Sequence, residues 1–271
     1  MAYWLGTFAP QRVLLDLGVL QIYWYSFFIV LGMILGLYFV RKYYLRTHDT
    51  DKELFDVALY VIIGALIGAR LWHVFIFQWD YYSSHLNEII KIWEGGLAIH
   101  GGVLGGFIVL LIYSRLKKKS IWSFTDLGVL ALPLGQAIGR WGNYFNQELY
   151  GLPTQRPWGI FIEEQNRIVG FQESTHFHPT FFYESVFNLI LFLVLWFMCK
   201  KKLSSGVLTG IYLFGYGVIR FAVDFIRIDP MPELLQLRYS QWISLGFMAL
   251  GIGVWIWRSR QEKPNTIAKE V

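Results

Sequence analysis

Seven stretches of roughly 20 mostly apolar residues recur along the chain, near 22–40, 56–78, 97–114, 122–141, 180–199, 206–226 and 241–257. About 20 such residues are what an α-helix needs to cross a hydrocarbon core about 30 Å thick. The pattern therefore predicts an all-α, polytopic integral membrane protein with seven transmembrane helices. The second and fourth stretches carry charges inside them, so hydropathy alone understates them. Between the spans the chain is short and polar. The longest connection, 142–179, holds Gly, Pro, Asn, Trp and charged residues, and its Trp158–Val169 part is expected to form a small hairpin. The whole of 1–271 reads as a single membrane domain with 142–179 as an extracytoplasmic loop region. It contains no convincing repeat and no low-complexity segment.

Composition agrees with this reading. Only 16% of the 271 residues are charged and 55% are hydrophobic, against about 25% charged in a soluble domain. Twelve Trp and sixteen Tyr supply amphipathic rings suited to the membrane–water boundary. A formal charge of +5 would fit a nucleic-acid partner if it were spread over a surface. Instead it is clustered. Arg41, Lys42, Arg46 and Lys52 follow the first span, and Arg115, Lys117, Lys118 and Lys119 the third. Lys200, Lys201 and Lys202 end the fifth, and Arg258, Arg260, Lys263 and Lys269 follow the seventh. Those fifteen of the 24 Lys and Arg residues fall on one side, which the positive-inside rule makes cytoplasmic. The N-terminus is then outside and the C-terminus inside, and no nucleic-acid partner is expected. Arg12, Lys91, Arg156, Arg167, Arg227 and Arg238 fall in the outer segments, and Arg70, Arg140 and Arg220 within spans or at their outer ends. The first apolar run lacks a small-residue cleavage site, so no cleavable signal peptide is expected. The one cysteine, Cys199, rules out an internal disulfide and a Cys-based metal site.

Ionisable residues at membrane depth are costly, and each is a functional-site hypothesis. Arg140, Asn143, Asn146 and Glu148 lie in G-R-W-G-N-Y-F-N-Q-E-L-Y-G, from Gly139 to Gly151. Arg140 and Asn143 share a face if the helix continues, and a guanidinium matches a phosphate bidentately. An Arg–Glu pair closing a helix end is the plainer reading. Tyr216, Arg220, Asp224 and Arg227 follow at spacings of four, four and three on one helix face, as an anion site or a structural salt bridge. His100 stands among six glycines (95, 96, 101, 102, 105 and 106), either as a proton acceptor near pH 7 or in a helix-packing seam. His178, Pro179, Tyr183 and Glu184 mark the outer start of the fifth span, where helix capping competes with a site. Tyr25 beside Trp24 fits an aromatic belt, and Arg70 has Asp80 and Glu94 as candidate partners. Most of these groups fall near the outer leaflet, where they can share one cavity. There is no H-x-x-x-H or other metal pattern, no serine nucleophile elbow and no phosphate loop.

The Gly139–Gly151 stretch resembles the signature G-R-x-G-N-x-x-N-x-E-x-x-G of the bacterial prolipoprotein diacylglyceryl transferase family. It matches at Gly139, Arg140, Gly142, Asn143, Asn146, Glu148 and Gly151. Trp24–Tyr25, Gly68–Arg70, Gly95–Gly102, His178–Glu184 and Gly215–Arg220 fall in the family's order. The resemblance implies transfer of the sn-1,2-diacylglyceryl group of phosphatidylglycerol to the lipobox cysteine of a preprolipoprotein, in the bacterial cytoplasmic (inner) membrane. A thioether would form and glycerol 1-phosphate would leave, without a cofactor. By position, His100, Arg140, Arg220, Tyr25 and Glu148 would be catalytic. Arg140, Asn143, Asn146, Gly151, Arg220 and Tyr216 would bind the lipid, with Arg140 and Arg220 on its phosphate. His100 would be the candidate base, and Asp224, Arg70, His178 and Glu184 would support the site. The chain departs from the family at Asp224, where Glu is common, and at Gln147, where Gly is common. A transporter of an anionic solute or lipid is the alternative that the buried arginines leave open; it should show inverted repeats.

Overall fold

A computed structural model of the protein describes residues 8–18, 21–46 and 48–261; Lys263 and Lys269 of the basic C-terminus lie outside them. Among the described residues, seven helices have the length and apolarity to cross a membrane. They are α1 (Trp24–Tyr44), α2 (Lys52–Trp72, continued by a π-helical turn, His73–Phe77), α4 (Ile99–Leu116), α5 (Ile121–Phe145), α6 (Thr180–Met198), α7 (Val207–Asp224) and α8 (Tyr239–Ser259). A four-residue helix, α3 (Trp79–Tyr82), lies after the π turn. The predicted all-α class and seven spans hold. α5 continues four residues past the predicted 141, which keeps Arg140 and Asn143 on one helical face.

Among the described residues there are also three short 3-10 turns and three two-stranded antiparallel ribbons. β1 (Val13–Asp16) pairs with β2 (Gln21–Tyr23), β3 (Ile160–Phe161) with β4 (His176–Phe177), and β5 (Glu233–Leu234) with β6 (Leu237–Arg238). The hairpin expected within Trp158–Val169 does not form, because Ile160 and Phe161 take partners across a longer loop. That exchange lets Tyr144, Tyr150, Ile160, Ile162, Phe177 and Phe181 close a small apolar core, with Ile168 packed on it. The Tyr150 hydroxyl donates to the Asn166 carbonyl and accepts from the Ile168 N–H, pinning the loop to this core.

The chain divides into two compact units. One spans residues 41–124 and holds α2, α3 and α4. Here α2 and α4 run antiparallel with their backbones in contact. A Cβ on Gly68 would stand 2.3 Å from the Gly101 carbonyl oxygen, and one on Gly105 2.3 Å from that of Gly64. Small residues at such a seam let helices approach where lipid gives no hydrophobic drive to association. Gly101→Ala should therefore lower stability by about 1–3 kcal/mol, read as a lower midpoint in thermal unfolding. At the end of α2 the buried Arg70 donates to the carbonyls of Glu88, Ile89 and Gly95 at 2.7 Å each and of Gly96 at 3.1 Å. Of the two partners suggested from sequence, Asp80 gives way to these carbonyls, and the Glu94 side chain lies outside the described ones. Four charge-assisted bonds tie the 88–96 segment to the span.

The other unit comprises residues 8–40 and 125–261 of the described chain. α7 and α8 meet along Gly210, Gly217 and Gly251, where a Cβ on Gly251 would stand 2.5 Å from the Phe214 nitrogen. Asp126, 1% exposed, accepts from the N–H groups of Gly206 (2.7 Å) and Thr209 (2.8 Å) and from the Thr209 hydroxyl (2.7 Å). It satisfies donors that the first turn of α7 leaves unpaired and places negative charge at the positive end of that helix. The sequence reading had not singled out Asp126. A second group of charged side chains gathers at the opposite end of α7.

Candidate active site

α5 brings Arg140 one turn before its end, α6 brings Glu184 in its second turn, and α7 brings Arg220 and Asp224 at its last. The Glu184 carboxylate, 1% exposed, sits at the centre. Its Oε2 lies 2.7 Å from an Arg140 Nη, and its Oε1 lies 2.7 Å from Arg220 and 3.5 Å from Arg227. Arg220 also reaches Asp224 at 2.9 Å, and Arg227 reaches Asp229 at 2.7 Å. Arg238 closes the ring. It donates to the backbone carbonyls of Asp224 (3.2 Å), Arg227 (3.1 Å) and Asp229, and pairs with the Asp229 carboxylate at 3.4 Å. Burial raises the Asp229 carboxyl, but the Arg227 hydrogen bond and the charges of Arg227 and Arg238 outweigh it and hold the group below the usual carboxylate range. A buried charge demands partners, and a carboxylate in an otherwise apolar stretch of α6 finds three.

From Arg140 a relay runs into the motif loop. Arg140 donates to the Asn143 side-chain oxygen (3.3 Å), and the amides of Asn143 (2.8 Å) and Asn146 (3.0 Å) both donate to Glu148. The predicted Arg140–Glu148 pair is thus indirect, since Asn143 stands between them and Glu184 takes the direct contact. Gly142 is required by α1: a Cβ there would lie 2.6 Å from the Tyr25 ring and 3.0 Å from its Cα. Gly151 is held by its N–H to the His178 carbonyl (2.9 Å), and a Cβ would press on Thr180, His178 and Ile226. Gly139 meets no such neighbour.

Gln147 occupies the left-handed region, φ 52°, followed by Leu149 at 56°. That conformation explains why glycine suits position 147 in the resembling family. Gln147 compensates with its side chain. The amide donates to the Pro10 carbonyl (3.2 Å) and to Glu163 (2.9 Å) and accepts from the Glu163 N–H (2.8 Å). Gln147→Gly should ease the backbone yet lose these bonds, for a net loss of about 1–2 kcal/mol. An unchanged unfolding midpoint would show the side chain to be dispensable.

Tyr25 opens α1 and borders a cleft of about 590 Å3 with Arg12, Asn146, Glu148 and Asp229 among its walls. His178 bonds through Nδ1 to the Tyr183 hydroxyl (2.9 Å), which also accepts from Trp158 (2.9 Å). Burial first, and then the Arg156 charge, lower the His178 pKa, so the ring is neutral near pH 7. Tyr216 stacks on Tyr212 at 5.7 Å. In the other compact unit, His100 stands exposed on the first turn of α4, its ring 6.2 Å from that of Trp72. Its neighbour Gly101 belongs to the packing seam.

The structure therefore joins Arg140, Asn143, Asn146, Glu148, Gly151, Arg220, Asp224 and Glu184 around two linked polar groups. Arg227, Arg238 and Asp229 belong there too. The sequence reading placed Arg227 on the α7 face and counted Arg238 only among outer charges. Glu184, read as a supporting or capping residue, is the hub. One signal was available: it is the sole carboxylate in a long apolar run, and such a group must find cations nearby.

Such a cluster presents two guanidinium forks, from different helices, at a common point. Each guanidinium has five N–H donors, and its ion pair and side-chain hydrogen bond engage only two of its nitrogens, so donors remain for a further oxyanion. The chain matches a family model described as prolipoprotein diacylglyceryl transferase over residues 12–257. It is 39% identical over 270 residues to a phosphatidylglycerol–prolipoprotein diacylglyceryl transferase of Acaryochloris marina, covering 97% of each chain. A relative of that name in Synechococcus elongatus is 39% identical, covering 96% of this chain and 92% of its own. Another in Fervidobacterium nodosum is 40% identical, with coverage of 91% and 84%.

Proposed function

The chain belongs to the prolipoprotein diacylglyceryl transferase family, and we propose that its Arg140–Glu184–Arg220 cluster holds the phosphate of the lipid donor. It is a transferase of lipoprotein maturation and a multi-pass membrane protein. The relatives' names give phosphatidylglycerol as donor and a prolipoprotein as acceptor. On this reading the acceptor is the lipobox cysteine thiol of a preprolipoprotein. Its sulfur attacks the glycerol carbon that carries the phosphate, a C–S bond forms, the C–O bond breaks, and glycerol 1-phosphate departs. The thiol proton goes to a base. No inverted repeat supports the transporter alternative.

The observation that carries the reading is the convergence of Arg140 and Arg220 on one carboxylate. A phosphodiester bears one negative charge and the departing monoester up to two. Fixed guanidiniums therefore interact more strongly with the transition state than with bound substrate, which is the condition for catalysis. Glu184 keeps both forks at a set separation before the lipid arrives. Asn143, Asn146 and Glu148 form a polar wall on the Arg140 side, facing the cleft that Tyr25 borders. A cysteine thiol has a pKa of about 8.5 and attacks as the thiolate. By its place in the family's motif, His100 on the first turn of α4 is the candidate acceptor. Cys199 is buried and takes no part, because the nucleophile belongs to the substrate. The basic clusters put the N-terminus outside, the C-terminus in the cytoplasm and the arginine cluster toward the outer leaflet of the cytoplasmic membrane.

Purified protein supplied with phosphatidylglycerol and a lipobox peptide should yield a diacylglyceryl thioether and glycerol phosphate in equal amounts. Folded protein that makes neither product would refute the reading.

A further inference from the structure

Below the arginine cluster a second row of polar groups runs toward the middle of the helices, and the phosphate does not account for it. Gln136 is one helical turn before Arg140 on α5, and Tyr216 and Tyr212 are one and two turns before Arg220 on α7. The Gln136 amide nitrogen lies 2.9 Å from the Tyr212 hydroxyl, and Tyr212 stacks on Tyr216 with the rings 12° from parallel. The Gln136 side-chain oxygen is buried and has no partner among the described residues. Whichever way this amide is turned, the pair keeps an unused donor. With nitrogen toward Tyr212 the phenol proton is free; with oxygen toward it the amide protons are. Polar groups this deep are costly without a partner. Beside them the helix surface is bare. Gly139 lies three residues from Gln136 on the same face, and a Cβ there would meet nothing within 4 Å.

From these positions, and resting on the lipid reading of the arginine cluster, we infer that Gln136 and Tyr212 form a subsite for an acyl ester carbonyl of the donor's diacylglycerol. The chemistry matches in depth and in kind. In a glycerophospholipid the ester carbonyls lie a few bonds beyond the phosphate, on the side of the acyl chains. One helical turn rises about 5.4 Å, so donors one to two turns below Arg140 and Arg220 stand where those carbonyls fall when the phosphate is at the guanidiniums. An ester carbonyl only accepts hydrogen bonds, and an unused donor is what the pair offers. The bare backbone at Gly139 leaves room for the glycerol and the start of an acyl chain. The subsite makes the enzyme selective for acylated over alkylated glycerol, whose ether oxygens are weaker acceptors.

The test compares kcat/KM for diacyl phosphatidylglycerol and for its dialkyl ether analogue, with one lipobox peptide, in wild type, Gln136→Leu and Tyr212→Phe. Wild type should favour the ester about three- to tenfold, the value of one neutral hydrogen bond, and both variants should bring the ratio close to one. A ratio is insensitive to the fraction of folded enzyme, so poor folding cannot imitate the result. Variants that keep the wild-type ratio, or a wild type that uses both lipids equally, would overturn the subsite alone. A wild type that uses neither lipid would overturn the reading on which it rests.

Discussion

Arg140→Ala should lower kcat/KM for transfer by about 10²- to 10³-fold or more, the scale set by removing one fixed donor from a developing oxyanion. The protein should still insert and fold, because Glu184 keeps Arg220 at 2.7 Å and Arg227 at 3.5 Å when the Arg140 contact is gone. Arg140→Lys separates charge from shape. Lysine restores a cation but has no planar fork, and it cannot reach both Glu184 and Asn143 as the two Nη atoms do. It should recover only part of the loss. Arg220→Ala should fall in the same range, and the double variant by less than the product of the two, since both forks act on one phosphate. Steady-state kinetics with peptide and phosphatidylglycerol read all of these. An Arg140→Ala enzyme with wild-type turnover would remove that residue from the mechanism.

Glu184→Ala should do more to the fold than any arginine variant. It leaves Arg140, Arg220 and Arg227 facing one another at the end of α6 with their shared carboxylate gone. Removing one partner of a buried pair costs about 3–5 kcal/mol because the other charge stays uncompensated, and here three are stranded, although Asp224 and Asp229 still hold Arg220 and Arg227. Loss of most folded protein in detergent, or a thermal midpoint lowered by several degrees, is the expected result. Glu184→Gln keeps the shape and one accepting oxygen but turns the other into an amide donor and removes the charge, and should fall between. If the Ala variant unfolds at the wild-type temperature, Glu184 is not the centre of the cluster.

The sequence made the spans legible because a bilayer imposes length and apolarity on each helix independently of the others. For the same reason the Gly139–Gly151 motif could be placed at a helix end before the fold was known. What was not legible depends on which groups meet across helices. Glu184 looked like a capping residue, since nothing local reveals that α5 and α7 point Arg140 and Arg220 at it. Arg70 looked like an ion-pair partner, but its bonds go to four carbonyls of a segment whose path depends on positive-φ glycines at 95 and 96. Ile160 and Phe161 pair with Phe177 and His176 because the core around Phe177 rewards the distant contact, and nothing local in Trp158–Val169 reveals it. Asp126 escaped notice since the donors that justify it, at Gly206 and Thr209, are about 80 residues away. Gly101 and Gly105 meet Gly68 and Gly64 of α2 in the packing seam that was one reading of the glycines around His100, while Gly139 faces open space.

The central claim is that Arg140 and Arg220 together hold the donor's phosphate. A structure of the protein with phosphatidylglycerol bound tests it most directly. The account predicts phosphate oxygens within hydrogen-bond distance of both guanidiniums, with the acyl chains running past Gly139 toward the bilayer. A lipid bound with its phosphate away from both arginines, while the complex remains competent for transfer, would contradict it.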